Sequence, residues 1–146
     1  MTVYSFLDLA MAFNHPLTGP ISFQGQLGFG SLVVEMTTER SSLNTASDGA
    51  IMISSIAGNS GHLTVETQQT STIHEFLNSW LNLLLQAQNQ GDVTTWASAT
   101  LSARSLTTST SHICTGVCPA KYPSFPYRAQ GENVTWTLYA ADIANG

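Results

Sequence analysis

The chain has 146 residues, of which 42% are hydrophobic and 9% are charged. This balance excludes disorder and predicts one domain, residues 1–146, that can bury a core without a structural metal. Four Lys and Arg against nine Asp and Glu give a net charge of −5, and the four cations are scattered singly, which excludes a protein that grips DNA or RNA by its phosphates.

The beginning of the chain predicts no secretory leader, because it carries no basic residue and Asp8 interrupts the short apolar stretch there. The longest apolar segment, residues 80–87, contains Asn82 and Gln86 and is too short to span a bilayer. We therefore expect a soluble protein made in the cytoplasm, with no membrane partner.

The first half of the chain predicts antiparallel strands. Alternating apolar and polar side chains predict them at 3–13, 32–36, 50–56 and 62–68. Glycine and proline recur through residues 14–30, which predicts turns, and Asp48-Gly49 is a favoured hairpin turn. Residues 32–68 therefore predict a run of long antiparallel strands.

A single helix is predicted over about residues 72–89. Thr72 and Glu75 fit a capping box, and Asn89-Gln90-Gly91 supplies the end of the helix. An apolar stripe at helical spacing comprises Ile73, Phe76, Leu77, Trp80, Leu81 and Leu84. This stripe must lie across a sheet.

The last third of the chain predicts two further strands, at 93–104 and 133–140, around a polar insertion at 105–131. Strands, one helix and then strands predict an α+β fold that is mainly antiparallel β. The low charge content predicts a surface that is covered by assembly, because a soluble monomer usually carries more charge.

The sequence offers few groups for chemistry. The histidines at 15, 62, 74 and 112 do not have the HExxH spacing of a zinc site, and no GxSxG nucleophile motif occurs. The glycines from Gly25 to Gly30 lack the Lys-Ser/Thr ending of a phosphate loop. His74 is expected to cap the helix or face solvent. We therefore expect no enzyme, no metal and no cofactor.

Cys114 and Cys118 leave three possibilities open: free thiols, a disulfide within the chain, or a disulfide between subunits. Without further Cys or clustered His ligands, CxxxC is a poor zinc site. Synthesis in the cytoplasm favours free thiols at first, with oxidation open to a particle that has left the cell.

The order of these motifs resembles a family of small tail tube proteins of contractile-tailed bacteriophages. The resemblance rests on Leu32-Val33-Val34-Glu35-Met36, Ser47-Asp48-Gly49-Ala50, Gly58-Asn59-Ser60-Gly61-His62-Leu63-Thr64-Val65 and Thr70-Ser71, with the ends Tyr4-Ser5-Phe6-Leu7-Asp8 and Trp136-x-Leu138-x-Ala140-x-x-Ile143-x-x-Gly146. It covers nearly the whole chain. Asn59 replaces a frequent Lys, and residues 107–130 are peculiar to this chain.

The resemblance implies two packed sheets with a flanking helix, a fold shared with type VI secretion tube proteins. It further implies hexameric rings that stack helically inside a sheath, with baseplate and tail terminator proteins as other partners. DNA would pass through the lumen without specific binding, in a virion tail assembled in the host cytoplasm. The match places an inter-ring loop at 39–50, with Arg40, Asn44, Asp48 and Gly49 as candidates.

The charge deficit suits such a lumen, because cations there would hold the sliding DNA by its phosphates. Glu35, Glu39, Asp48 and Glu66 are the candidates for the lining, and a solvated strand face is the plain alternative for each.

Three other functions are alternatives to a tail tube. A secretion-system tube or a tail completion protein would share the fold. A secreted β-sandwich binding module would suit the polar composition and the aromatic residues Tyr122, Phe125 and Tyr127, but it would need a leader. An enzyme would need a catalytic site.

Overall fold

The computed structural model describes residues 3–24 and 29–145, so the predicted turn glycines Gly25 and Gly28 and both chain ends lie outside the described residues. The elements are a 3-10 turn at Phe6–Asp8, β1 Leu9–His15, β2 Gly19–Gln24, β3 Phe29–Met36, β4 Ser41–Thr45, β5 Ile51–Ser55, β6 Gly61–Gln68, α1 Thr72–Asn89, β7 Ala99–Ser105, β8 Ser111–Pro119, β9 Asn133–Ala140 and β10 Asp142–Asn145.

Two antiparallel sheets share one strand. The first sheet has the order β2-β1-β7-β8, with β10 also on β8, and the second has the order β8-β9-β6-β3. Strand β8 pairs with β7 up to Val117 and with β9 at Cys118 and Pro119. Gly116 has a φ of +65° where β8 bulges between the sheets. The expected architecture of two sheets and one helix is confirmed.

The core lies between the inward faces of the two sheets and is closed by α1. Phe13 of β1 packs edge-on against Trp80, with ring centroids 5.0 Å apart, and Trp136 of β9 contacts His74 of the same helix. Both indoles and Phe13 are almost fully buried. Because such burial contributes roughly 1.5–3 kcal/mol for each large side chain, α1 fastens the two sheets together.

The helix matches its predicted limits, residues 72–89, but its cap differs. The capping oxygen belongs to Ser71, one residue before the predicted Thr72, and it accepts a hydrogen bond of 3.1 Å from the amide of His74. Five of the six predicted apolar residues are fully buried, and Phe76 is partly buried. Gly91, with a φ of +81°, follows the last turn as predicted.

Three strand predictions need correction. The first strand begins at Leu9 rather than residue 3, because the residues before it form the 3-10 turn. The turn-rich stretch 14–30 contains β2, which the glycines and prolines concealed. The strand predicted at 93–104 begins at Ala99, because the Asp92 carboxylate accepts hydrogen bonds from the amide and hydroxyl of Thr94 and holds a turn.

The polar insertion predicted at 105–131 contains β8, an integral strand shared by both sheets. Cys114 and Val117 both face the core although they are three residues apart, because the bulge at Gly116 inserts an extra residue. The bulge breaks the period-two pattern, and the loop is therefore confined to residues 120–132.

Candidate assembly surfaces

A two-stranded hairpin, here called the arm, leaves the second sheet between β3 and β6. It consists of β4 and β5, which pair only with each other. Residues 50–56 are predicted to continue the run of long antiparallel strands, but β5 forms part of this separate hairpin instead. Asp48-Gly49 forms the tip as expected: Gly49 has a φ of +88°, and the Asp48 carboxylate accepts a 3.0 Å hydrogen bond from the amide of Ala50. Every side chain of both strands is exposed.

Three of the four apolar side chains on the strands of the arm share one face, while Met52, which is 59% exposed, lies on the other. Residues directly opposite each other in an antiparallel pair lie on the same face, and the register places Leu43 opposite Ile53 and Thr45 opposite Ile51. Leu43, Ile51 and Ile53 are 65%, 63% and 70% exposed. A lone hairpin is marginally stable in water, and a clustered exposed apolar face marks an interaction surface.

The predicted inter-ring residues are spread along the arm. Arg40 lies at its base and donates to the side-chain oxygen of Asn59. Asn44 lies on the face opposite the three apolar side chains, while Asp48 and Gly49 form the tip. Base and tip are therefore separated by the length of the hairpin, roughly 17 Å for five residues.

The predicted lumen residues separate into two pairs. Glu35 and Glu66 lie on the outward face of the second sheet, and the Glu66 carboxylate accepts a 2.7 Å hydrogen bond from Asn133. Glu39 lies just before the base of the arm, and Asp48 lies at its tip. The outward face carries carboxylates, hydroxyls and amides but no Lys or Arg on the described strands, its side chains being Ser31, Val33, Glu35, His62, Thr64, Glu66, Asn133, Thr135, Thr137 and Tyr139.

Residues 120–131, here called the aromatic loop, run from β8 to β9 beside α1. The Tyr122 hydroxyl donates a 2.6 Å hydrogen bond to Asn82 of the helix, and the ring of Phe125 packs edge-on against His74 at 5.6 Å. Tyr127 is 88% exposed. The loop folds over the outer edge of β9, which β8 leaves uncovered beyond Leu138.

A cleft of about 520 Å³ lies between the aromatic loop and the outward face of β9, lined by Lys121, Tyr122, Pro123, Ser124, Phe125, Pro126, Arg128, Glu132, Asn133, Thr135 and Thr137. This is the loop cleft. Arg128 pairs with Glu132 at 2.6 Å. The sequence singled out the aromatic residues but not the cleft, because nothing in the local pattern brings the loop over β9.

His74 is buried, which corrects the expectation of a capping or solvent-facing side chain. Its Nδ1 accepts a 3.1 Å hydrogen bond from the indole N–H of Trp136, so the ring is held with its proton on Nε2. Burial lowers the pKa of His74, and the nearby Glu75 carboxylate opposes this in part. The imidazole is therefore held neutral between the helix and β9.

This arrangement predicts a loss of stability in mild acid. The unfolded chain binds the proton near the ordinary pKa of about 6.5, and the folded chain binds it only at lower pH. Stability is therefore complete above that value and falls as the pH drops through it, with a slope of at most about 1.4 kcal/mol per pH unit for one proton. His74→Gln keeps an acceptor for Trp136, and we expect it to flatten the free energy of unfolding measured from pH 7.5 to 5.

The partly buried His112, whose Nδ1 lies 2.7 Å from the side-chain oxygen of Asn145, provides the matched control. His112→Gln removes one imidazole at a site that does not contact Trp136, so it controls for the substitution of histidine by glutamine itself. Parallel unfolding profiles for the wild-type protein and His74→Gln would show that His74 is not the group responsible.

The two cysteines lie four residues apart on the extended strand β8, and both are free. Cys114 and Val117 both face the core across the bulge, so Cys118, the residue after Val117, points to the opposite face, whereas a disulfide needs two Cβ atoms that point toward each other. Burial, with a smaller contribution from Asp142, raises the pKa of Cys114 to about 11, and burial also raises the pKa of Cys118. Strand geometry and thiol protonation both favour free thiols within the subunit.

His15 stabilises the fold by hydrogen bonds at both of its ring nitrogens. His15 is fully buried: its Nδ1 accepts from the amide of Leu17 at 3.1 Å, so its Nε2 donates to the carbonyl of Thr95 at 2.7 Å. Over residues 3–24 and 29–145, no three His, Cys, Asp or Glu side chains converge as a metal site would require. Within the same ranges, no helix has the length and apolarity needed to cross a membrane.

The whole chain, residues 1–146, matches the family model described as Bacteriophage PhiTE tail tube protein. No curated protein matches it.

Solved structures share its fold at low sequence identity. A chain of the anti-feeding prophage baseplate, symmetrised sixfold, aligns with a TM-score of 0.62 and 15% identity over 99% of this chain and 96% of its own. A sheath/tube terminator structure of an extracellular contractile injection system aligns with a TM-score of 0.60 and 9% sequence identity, over 100% of this chain and 98% of its own. A sheath-tube complex of such a system aligns with a TM-score of 0.55 and 10% sequence identity, over 97% of this chain and 90% of its own.

Proposed function

Because the chain belongs to the bacteriophage PhiTE tail tube protein family, we propose that it forms stacked hexameric rings whose lumen conducts DNA during ejection. A tail tube protein is a structural subunit and not an enzyme, as the sequence predicted. The family assignment also argues against the alternative that the chain is a secreted binding module. In the proposed tail, a contractile sheath surrounds the tube, and the virion is assembled in the host cytoplasm.

The exposed apolar face of the arm is the observation that best supports the proposal that rings stack. It holds three aliphatic side chains in water, on a hairpin that projects from the sheets and pairs with no other strand among the described residues. Such a face is costly in a monomer and is covered when the arm docks on a subunit of the next ring. Arg40, Asn44, Asp48 and Gly49 of the arm are the proposed inter-ring residues.

The outward face of the second sheet is the proposed lumen wall. Glu35 and Glu66 place negative charge on a face of hydroxyl and amide side chains, and the described strands place no Lys or Arg on it. Lys121 and Arg128 lie only at its β9 edge, in the loop cleft. An acidic wall repels the phosphates of a passing duplex and lowers its friction. Glu39 and Asp48 would line the lumen only where rings meet.

The partners follow from the structures that share the fold. The relatives come from a baseplate solved with sixfold symmetry, a sheath/tube terminator and a sheath-tube complex. These descriptions support a ring of six and contacts with sheath, baseplate and terminator proteins. They equally fit a tube of a non-phage injection system, and the family match favours the phage tail.

Electron microscopy of the purified protein at high concentration, with and without reductant, tests the proposal. We expect hollow sixfold rings or tubes with a channel wide enough for duplex DNA, and the same particles in both samples, because neither thiol is needed for contact. A reconstruction then identifies the lining residues. A net basic lining would overturn the acidic wall, and a protein that stays monomeric would contradict the proposed function.

A further inference from the structure

The two lateral edges of the second sheet carry opposite charges. At one edge, β3 is the terminal strand, and it presents the exposed side chains of Val33 and Glu35. At the other edge, beyond β9, the loop cleft presents Lys121, Arg128 and Glu132, so two of the four Lys and Arg residues of the chain outnumber one carboxylate there. Because the chain has so few Lys and Arg residues, the presence of two of them at one edge points to a role for that edge.

We infer that the loop cleft of one subunit receives the β3 edge of a second copy of this chain, with Lys121 opposite Glu35 of the neighbour. The inference rests on the proposed ring. In a closed ring each copy uses two different surfaces, and the two lateral edges of the second sheet are two such surfaces. Edges of opposite charge suit such a contact.

The ion-pair geometry within the subunit favours Lys121 over Arg128 as the partner of Glu35. Arg128 is already paired with Glu132, whereas no carboxylate lies within ion-pair distance of Lys121 in residues 3–24 and 29–145. Glu35 likewise has no ion-pair partner in those ranges. Each group is therefore available for a neighbouring subunit.

The apolar parts of the two edges also fit each other. Val33 is 51% exposed on the edge strand, two residues before Glu35, so both side chains point to the same face. The loop cleft combines its cations with the aromatic and proline side chains of Tyr122, Pro123 and Phe125. Aromatic and Arg side chains are enriched at the centres of protein interfaces.

The ion pair between Lys121 and Glu35 also reduces the electrostatic repulsion between subunits of the ring. Each copy adds a net charge of −5 to the ring, and like charge opposes closure. An ion pair at every seam turns part of that repulsion into attraction and fixes which edges meet. Glu66, one strand further in on β6, keeps its charge on the proposed lumen wall.

Charge reversal tests the contact. Lys121→Glu and Glu35→Lys alter exposed side chains, so circular dichroism and the unfolding midpoint should match the wild-type protein. We expect each single variant to raise the protein concentration needed for ring formation by at least about tenfold, because like charges then face each other at every seam. The double variant Lys121→Glu/Glu35→Lys is expected to recover assembly, as measured by sedimentation and electron microscopy.

A matched pair separates this contact from a general charge effect. Glu75 is exposed on α1 and lines a groove with Thr18 and Ile21, beside β2 of the first sheet, so Lys121→Glu/Glu75→Lys has the same net charge as the rescuing variant but should stay unassembled. Wild-type rings together with an unassembled double reversal would overturn the inference and leave the proposed function intact. Rescue by Glu75→Lys would also overturn it, and a wild-type protein without rings would contradict both.

Discussion

Replacing Leu43, Ile51 and Ile53 with threonine is expected to abolish tube formation while the subunit stays folded. The three side chains are 63–70% exposed, so their loss removes little from the core, and threonine retains the strand preference of the hairpin. Burying such a side chain in an assembly contributes about 1.5–3 kcal/mol. Because every inter-ring contact would lose three of them, stacking should be lost even at high concentration, with single rings remaining in electron micrographs.

The opposite face of the arm provides the control. Ser42 and Ser54 lie there by the register of β4 and β5, and replacing both with threonine changes the other face of the same hairpin without altering a proposed inter-ring residue. This variant is expected to form tubes. Full-length tubes from the apolar-face variant would contradict the role of the arm, and a loss of the folded circular dichroism signal would show that the face stabilises the subunit instead.

Sequence patterns predicted the elements whose burial follows a simple period. The stripe from Ile73 to Leu84 and the alternation of Val134, Trp136, Leu138 and Ala140 gave the helix and the last long strand. Strand β8 was hidden because its buried positions, Cys114 and Val117, are out of phase across the bulge. A bulge forms where two sheets meet, and that junction is a property of the tertiary structure.

The assembly surfaces could be predicted only in part. Asp48-Gly49 marked the tip of the arm, because the turn chemistry is local. Alternation predicts that Glu35 is outward-facing on its strand, but only the order of strands places Glu66 on the same wall and Lys121 at the opposite edge. The loop cleft forms between the aromatic loop and β9 and joins residues more than ten positions apart in the sequence. The helix α1 holds the loop in place, for example by the hydrogen bond from Tyr122 to Asn82, and no local pattern predicts that contact.

Gly61→Ala is expected to cause a larger loss of stability than any exposed substitution. Gly61 is the first residue of β6, at the base of the arm, and it pairs with Met36 on one side and Ala140 on the other. A Cβ there would overlap the carbonyl oxygen of Glu35 and lie 2.6 Å from Cδ1 of Ile143. The backbone of Glu35 cannot yield without disturbing the pairing of β3 with β6.

We expect this overpacking to lower the free energy of unfolding by about 1–3 kcal/mol or more, as measured by urea denaturation. The same shift would move the β3 edge and the base of the arm, so assembly should weaken along with stability. Gly131→Ala is the matched control, because the nearest atom to its new Cβ is the side-chain oxygen of Gln69 at 3.9 Å, an ordinary contact. It should change stability by no more than about 0.5 kcal/mol. Equal unfolding midpoints for the two variants would mean that β3 and β6 are not packed as closely as the structure places them.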